Sequence, residues 1–419
     1  MKCEDLKADD VVVTGRGVVS PIGNELAAVL VALRSGHSGL AFEPDFAERG
    51  FRCCVAGRIR NVNPEEHFSR PQLLSMSRVS LYSSMAATQA VRESGLRQVD
   101  CERERTGVIL GCGIGGLGTN YRTYEKFKTN KSPRRIGGHG VDTTMASTCT
   151  ANATVLFRNK GMGESLSSAC ATGLQCIGYA FRMIRHGYLD TAICGSADED
   201  GWETAFAFDG MRVLCSDSNG HPERASRPFD ATRSGFVPAG GAGAVVLESY
   251  ARAAQRGARP LARIAGYWSG CDGSGAMIAP SVEGQVRVIH AALRTAEVAP
   301  DAIDYVNLHG TSTVLGDSVE LEALARVFGS SGYLASSSKS QIGHALAAAG
   351  SIELVLTSLM LEHQIVAPSV TLERLDSAHM ALNAVLPRGV TQRSLRYAMT
   401  NNFGFGNTNA SMVLEAIES

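Results

Sequence analysis

Short apolar segments alternate along this chain with longer stretches whose apolar residues recur every three or four positions. That alternation limits the fold more than any other feature. Brief apolar runs at 10–20, 106–110, 191–194, 242–247, 261–267, 305–308, 397–400 and 411–414 read as buried strands. Helical spacing appears at 21–34, 81–96, 286–296, 318–328 and 344–361, and in Leu174, Ile177, Phe181 and Ile184 before a helix end at His186-Gly187. Strand and helix in alternation predict an α/β fold with mainly parallel sheets. Many of the 45 glycines cluster between apolar segments, at 111–118, 239–244 and 403–407, as tight turns do. No flexible linker interrupts the pattern, so two tightly packed halves are the simplest organisation. The basic stretch 126–140, with Lys126, Lys128, Lys131, Arg134 and Arg135, reads as an exposed loop or insertion.

Several function classes are disfavoured. A net charge of -1 gives no field for nucleic acid or a membrane surface. No apolar run approaches the ~18 residues of a membrane span, and the opening MKCEDLKADD is too polar for a signal peptide. The 11 cysteines form no CxxC pair, which argues against a disulfide scaffold or a zinc module. A cytoplasmic protein with reduced thiols is expected.

Three segments carry chemistry-bearing residues. In Ser167-Ser168-Ala169-Cys170-Ala171-Thr172-Gly173, small residues surround one cysteine just before a helical pattern. The positive end of a helix dipole favours thiolate there. Taken alone, the segment reads first as a buried structural thiol, since free cysteine is among the most buried residue types. The segments His309-Gly310-Thr311-Ser312-Thr313 and Lys339-Ser340-Gln341-Ile342-Gly343-His344 each set a histidine beside glycine at an element boundary. Two such histidines and one flanked cysteine together point to proton handling near neutral pH.

SSACATG, HGTST followed by GD-x-x-E, K-x-x-x-GH and N-x-FGFG-x-TN together resemble the signatures of β-ketoacyl-ACP synthases, nearest the bacterial synthase I branch, over almost the whole chain. The resemblance implies a thiolase fold of two pseudo-duplicated halves, 1–258 with Cys170 and 259–419 with His309 and His344, in a five-layered α-β-α-β-α core. It implies decarboxylative Claisen condensation of malonyl-ACP with a Cys170-bound acyl chain, as in fatty-acid elongation. His309 and His344 would hold the malonyl thioester carbonyl, and Lys339 would support them with Glu320 as its partner. Asp317 belongs to the same acidic segment. Thr311 and Thr313 would line the phosphopantetheine tunnel. The Phe405 N–H would join that of Cys170 in an oxyanion hole, with a phenylalanine ring gating the acyl pocket. Acyl carrier protein is the implied partner, with Arg70, Arg134 and Arg135 as a docking patch, and a homodimer the implied assembly. No metal or redox cofactor is required. Activation of Cys170 is left open between the helix dipole and a histidine.

Cys149, Cys176, Cys194 and Cys215 read as structural, and Trp202 and Phe206 as core rather than acyl-pocket residues. Two positions depart from the family pattern: Ser234 replaces the aspartate of R-D-G-F, and Asn407 replaces a glycine of the last motif. These leave room for the ketosynthase of a type II polyketide or polyene pathway, paired with itself or with a chain-length factor. A silent chain-length factor would lack Cys170; a thiolase would lack the lysine motif; a synthase III relative would carry asparagine where His344 stands.

Overall fold

Ten strands build one sheet: Val11–Val19 (β1), Thr106–Cys112 (β2), Gly163–Glu164 (β3), Thr191–Asp198 (β4), Gly241–Ser249 (β5), Ala262–Cys271 (β6), Tyr305–Asn307 (β7), Leu334–Ser336 (β8), Tyr397–Gly404 (β9) and Thr408–Ala416 (β10). The computed structural model describes residues 1–275, 277–329, 331–376 and 386–418. Strand order is β8-β7-β9-β10-β6-β1-β5-β4-β2-β3. Read outward from the centre, β1-β5-β4-β2-β3 and β6-β10-β9-β7-β8 match strand for strand in direction as well as order. The halves join through a short antiparallel contact, Val12 opposite Arg263 and Val13 opposite Ala262.

The sheet corrects the expectation of mainly parallel pairing. Only the outer strands of each half are parallel, whereas the central ones, β1, β5, β6 and β10, pair antiparallel. Burial on both faces removes the polar–apolar alternation from the central antiparallel strands, so they look like parallel strands in sequence. Val11–Val19 is buried throughout.

Helices complete five layers. The helix Arg78–Ser94 (α1) covers the outer face of the first half; Leu117–Asn130 (α2) lies beyond β2. Thr172–Arg185 (α3) packs in the middle layer. Val282–Ala296 (α4) and Val314–Phe328 (α5) cover the second half, and Ala349–His363 (α6) joins α3 between the two half-sheets. Every residue of α6 from Ala349 to Leu361 is buried. Leu346–His363 is long and apolar enough to cross a bilayer, with mean hydropathy 1.2, but here it is the core of the middle layer. The crossing of α3 and α6 is close: a Cβ at Gly173 would lie 2.3 Å from the Ser351 backbone nitrogen. This contact brings the start of α3, from the first half, against the start of α6, from the second.

The segment 126–140 is only partly a loop. Helix α2 runs to Asn130, and Pro133–Arg135 forms a 3-10 turn. Phe206 is not a core residue, being 55% exposed. Trp202 is half-buried beside Phe46, with the Tyr121 ring edge-on at 5.0 Å and the Arg49 guanidinium 4.1 Å over its face. Cys149, Cys176, Cys194 and Cys215 are buried, as expected.

Candidate active site

Cys170 stands on a sharp elbow that feeds α3. Ala169 before it has φ +49°, and the turn is stapled by Thr172, whose Oγ1 donates to Ala169 O at 2.7 Å and accepts from Ser168 N at 2.8 Å. The elbow turns the sulfur into a cavity of about 300 Å³. His309 and His344 share the cavity floor, and Phe208, Phe236, Phe403 and Phe405 supply much of its apolar wall. Thr311 and Thr313 line it as well, joined by a 2.9 Å hydroxyl contact. Seven of the residues singled out in sequence, Cys170, His309, Thr311, Thr313, His344, Phe405 and Asn407, therefore meet in one place, although they come from both halves of the chain.

His344 Nε2 lies 3.1 Å from Cys170 Sγ. Its backbone is fixed by N–H donation to Val237 O at 2.8 Å, and the Phe236 ring meets the imidazole edge-on at 5.2 Å. The His309 ring stands 5.4 Å from that of His344, nearly perpendicular. Burial holds both histidines well below the ordinary imidazole range, and the Lys339 ammonium pushes the same way. Both are neutral near pH 7. Burial also pushes the Cys170 thiol up to about 11, against the opposing pull of Lys339 and the Phe405 N–H. The dipole of α3 does not win, so Cys170 rests as a thiol with His344 Nε2 as the base in contact.

Lys339 is buried and points away from the cavity. Its ammonium donates to His309 O at 2.6 Å, pairs with Glu353 on α6, and comes within 3.5 Å of His309 Nδ1. The expected pairing with Glu320 is corrected. Both Glu320 oxygens are taken by backbone, accepting from His309 N and Gly310 N at 2.7 Å each. Glu320 thus shapes the loop that presents His309. Asp317 does the same one turn earlier, accepting from Ser312 N at 3.1 Å and Phe229 N at 2.8 Å. Ser312 is held at φ +70°.

Phe405 donates its N–H towards Cys170 Sγ, and its ring lies 6.3 Å from Phe208 at the wall. Asn407 also lines the cavity. Ser234 is exposed, its hydroxyl 3.5 Å from Cys215 Sγ. Arg70, Arg134 and Arg135 are exposed surface residues outside the cavity lining, on the short helix Arg70–Leu74 and the Pro133–Arg135 turn. The donor atoms of Cys170, His309 and His344 lie within 4.8 Å of one another, close enough to share a metal by spacing alone. The Lys339 charge beside His309 opposes a cation there.

Sequence reasoning missed Glu353, Asn402 and the phenylalanine walls. Asn402, on β9, donates to Glu353 Oε2 at 2.8 Å and faces His309 Nδ1 at 3.3 Å. Glu353 left a signal: it is the lone charge in the otherwise uncharged run 340–361.

Family models described as "Beta-ketoacyl synthase, N-terminal domain" and "Beta-ketoacyl synthase, C-terminal domain" match residues 8–253 and 261–373. The 3-oxoacyl-[acyl-carrier-protein] synthase 1 of Haemophilus influenzae is 39% identical over 404 residues, covering 96% of this chain and 98% of that protein. A crystal structure of a beta-ketoacyl synthase from Burkholderia phymatum superposes with a TM-score of 0.92 at 31% identity, over 98% of this chain and 100% of the other. A type II polyketide synthase acyl carrier protein in complex with its ketosynthase, bound to the hexaketide, contains a chain that matches with a TM-score of 0.88 at 28% identity, over 97% and 99%.

Proposed function

The chain belongs to the beta-ketoacyl synthase family, and on that premise we propose that it elongates fatty acids by decarboxylative condensation of malonyl-ACP with an acyl chain held on Cys170. It is an acyltransferase. The observation that carries the reading is Cys170 Sγ at 3.1 Å from His344 Nε2, on the floor of a cavity that His309 shares.

The steps follow from these atoms. His344 Nε2 accepts the Cys170 proton as the sulfur attacks an acyl thioester, and that proton leaves with the departing phosphopantetheine thiol. The oxyanion formed accepts hydrogen bonds from the Cys170 and Phe405 N–H groups. One such donor contributes about 3–4 kcal/mol in comparable acyl-transfer sites. The malonyl thioester then enters past Thr311 and Thr313. As the bond to CO2 breaks, its electron pair moves to the carbonyl oxygen, where neutral His309 donates to the enolate; His344, whose Nε2 carries the lone pair while it serves Cys170, joins as a donor once its ring proton has moved from Nδ1 to Nε2. The enolate carbon attacks the Cys170 thioester and expels the sulfur as thiolate, which takes up one proton from solvent to restore the thiol. No step requires a metal or redox cofactor.

Acyl carrier protein is the proposed partner, meeting Arg70, Arg134 and Arg135. The halves 1–258 and 259–419 divide the work, the first holding the acyl chain and the second the malonyl group. We place the protein in the cytoplasm as a homodimer. A type II polyketide or polyene chain is the second substrate reading, favoured by the Asn407 side chain in the cavity wall.

Mass measurement of the intact protein after incubation with acyl-ACP tests the reading. A covalent acyl adduct is expected, and it should vanish in Cys170→Ala. His309→Ala and His344→Ala should each lower CO2 release from malonyl-ACP by about 10²-fold or more. Condensation by Cys170→Ala at the wild-type rate refutes the assignment.

A further inference from the structure

We propose that Asn402 is a positioning residue that fixes the tautomer of His309, keeping its proton on Nε2 and its lone pair on Nδ1. The proposal rests on the condensation reading above, in which His309 must donate to the enolate oxygen.

A neutral imidazole carries one proton, and the groups around one ring nitrogen decide which nitrogen holds it. Two donors face His309 Nδ1: Asn402 Nδ2 at 3.3 Å and Lys339 Nζ at 3.5 Å. The ammonium spends two of its three protons on shorter contacts with His309 O and Glu353, and its approach to Nδ1 is the longer of the two. The Asn402 amide is fixed in direction. Its nitrogen donates one proton to Glu353 Oε2 at 2.8 Å. The reverse orientation would set the amide oxygen against a carboxylate oxygen. The second amide proton is therefore available to His309 Nδ1.

Placement makes this arrangement hard to relax. Asn402 is fully buried in β9. A Cβ at Gly350 of α6 would lie 2.5 Å from Asn402 Oδ1, so the amide rests against a glycine and cannot be displaced outward. Asn402 thus links the Lys339–Glu353 ion pair to His309. Without it, Nδ1 would keep one distant donor, and the Nδ1-protonated tautomer would become accessible. That tautomer turns a lone pair towards the enolate oxygen.

The test compares wild type with Asn402→Leu, which keeps the volume and removes both amide donors, and Asn402→Ser, which restores one small donor. Three quantities are read on each: CO2 release from malonyl-ACP, acyl loading of Cys170, and the 15N shifts of the histidine ring nitrogens. In Asn402→Leu, kcat for CO2 release should fall about 100-fold, the loss expected for one misdirected donor, with KM little changed. Acyl loading, which uses no proton of His309, should fall far less, and one histidine should leave the pure Nε2–H signature. Asn402→Ser should recover part of both. Wild-type CO2 release and an unchanged tautomer in Asn402→Leu would overturn the proposal. So would equal losses of loading and CO2 release with the tautomer unmoved, which mark a merely structural role. If wild type itself releases no CO2, the condensation reading fails, and the 15N shifts still decide whether Asn402 sets the tautomer.

Discussion

Cys170 meets opposed influences, and the outcome sets its chemistry. Burial raises the thiol to about 11, while Lys339 and the Phe405 N–H pull it down. The nucleophile is therefore made at the moment of attack, by His344, rather than stored as thiolate. Alkylation of Cys170 by iodoacetamide should accelerate about tenfold per pH unit between pH 7 and 10, since only thiolate reacts. A plateau beginning near pH 7 would mean a stored thiolate. The depressed histidines give the opposite expectation for CO2 release. Their protonated forms appear only well below the ordinary imidazole value of about 6.5, so the rate should hold steady as pH falls through that value. The cysteine and histidines were legible because their small neighbours and glycines form compact motifs. The partner of Lys339 was not. Glu320 shares a motif with His309, yet its two oxygens are consumed by local backbone donors. Glu353 sits on α6, 14 residues after Lys339, and the two meet only because the chain turns at Gly343 between the short helix Lys339–Ile342 and α6.

Between element and element, the loop joining β9 to β10 carries Phe405 and is tied to the loop after β6. Gly406 donates its N–H to Met277 O at 2.8 Å, and Asp272 donates to Asn407 O at 3.0 Å. The Ser274 hydroxyl adds a 2.7 Å bond to Asn407 Oδ1. Asn407 holds φ +65°, a conformation that asparagine tolerates better than most non-glycine residues. Its side chain thus makes a contact that glycine could not, and the contact restrains the loop whose ring borders the acyl pocket. An exposed hydrogen bond of this kind contributes about 0.5–1 kcal/mol. Asn407→Gly should raise kcat/KM for long acyl-ACP substrates by about two- to fivefold, with short chains little affected. Equal kcat/KM across chain lengths in both proteins would detach Asn407 from selection. The positions of most strands and helices were readable here from period and glycine placement. Their directions were not, because β5 and β10 are buried on both faces, as parallel strands are, and carry no polar–apolar alternation. The course of the 126–140 segment was also misread: its charges suit an exposed helix as well as a loop.

Across the whole molecule, the two halves complete one site, since Cys170 comes from before α3 and His344 from before α6. The order of the motifs made this division readable; the exposed aromatic face of the first half was not. Tyr121, Tyr124 and Phe127 follow one another along α2 at 44%, 65% and 42% exposure, and Tyr121 leads through Trp202 to Phe206 at 55%. Exposed aromatic rings spaced three residues apart on one helix form a patch of the type that marks protein interfaces. The proposed homodimer would place it at the contact between two copies of the chain, a use that the reading of Trp202 and Phe206 as core residues did not suggest. Centrifugation should give a mass twice the 44.3 kDa of one chain. Loss of one central aromatic at an interface costs about 2 kcal/mol or more, so Tyr124→Glu should raise the dimer dissociation constant by at least ~30-fold. An unchanged dissociation constant in Tyr124→Glu would move the interface elsewhere.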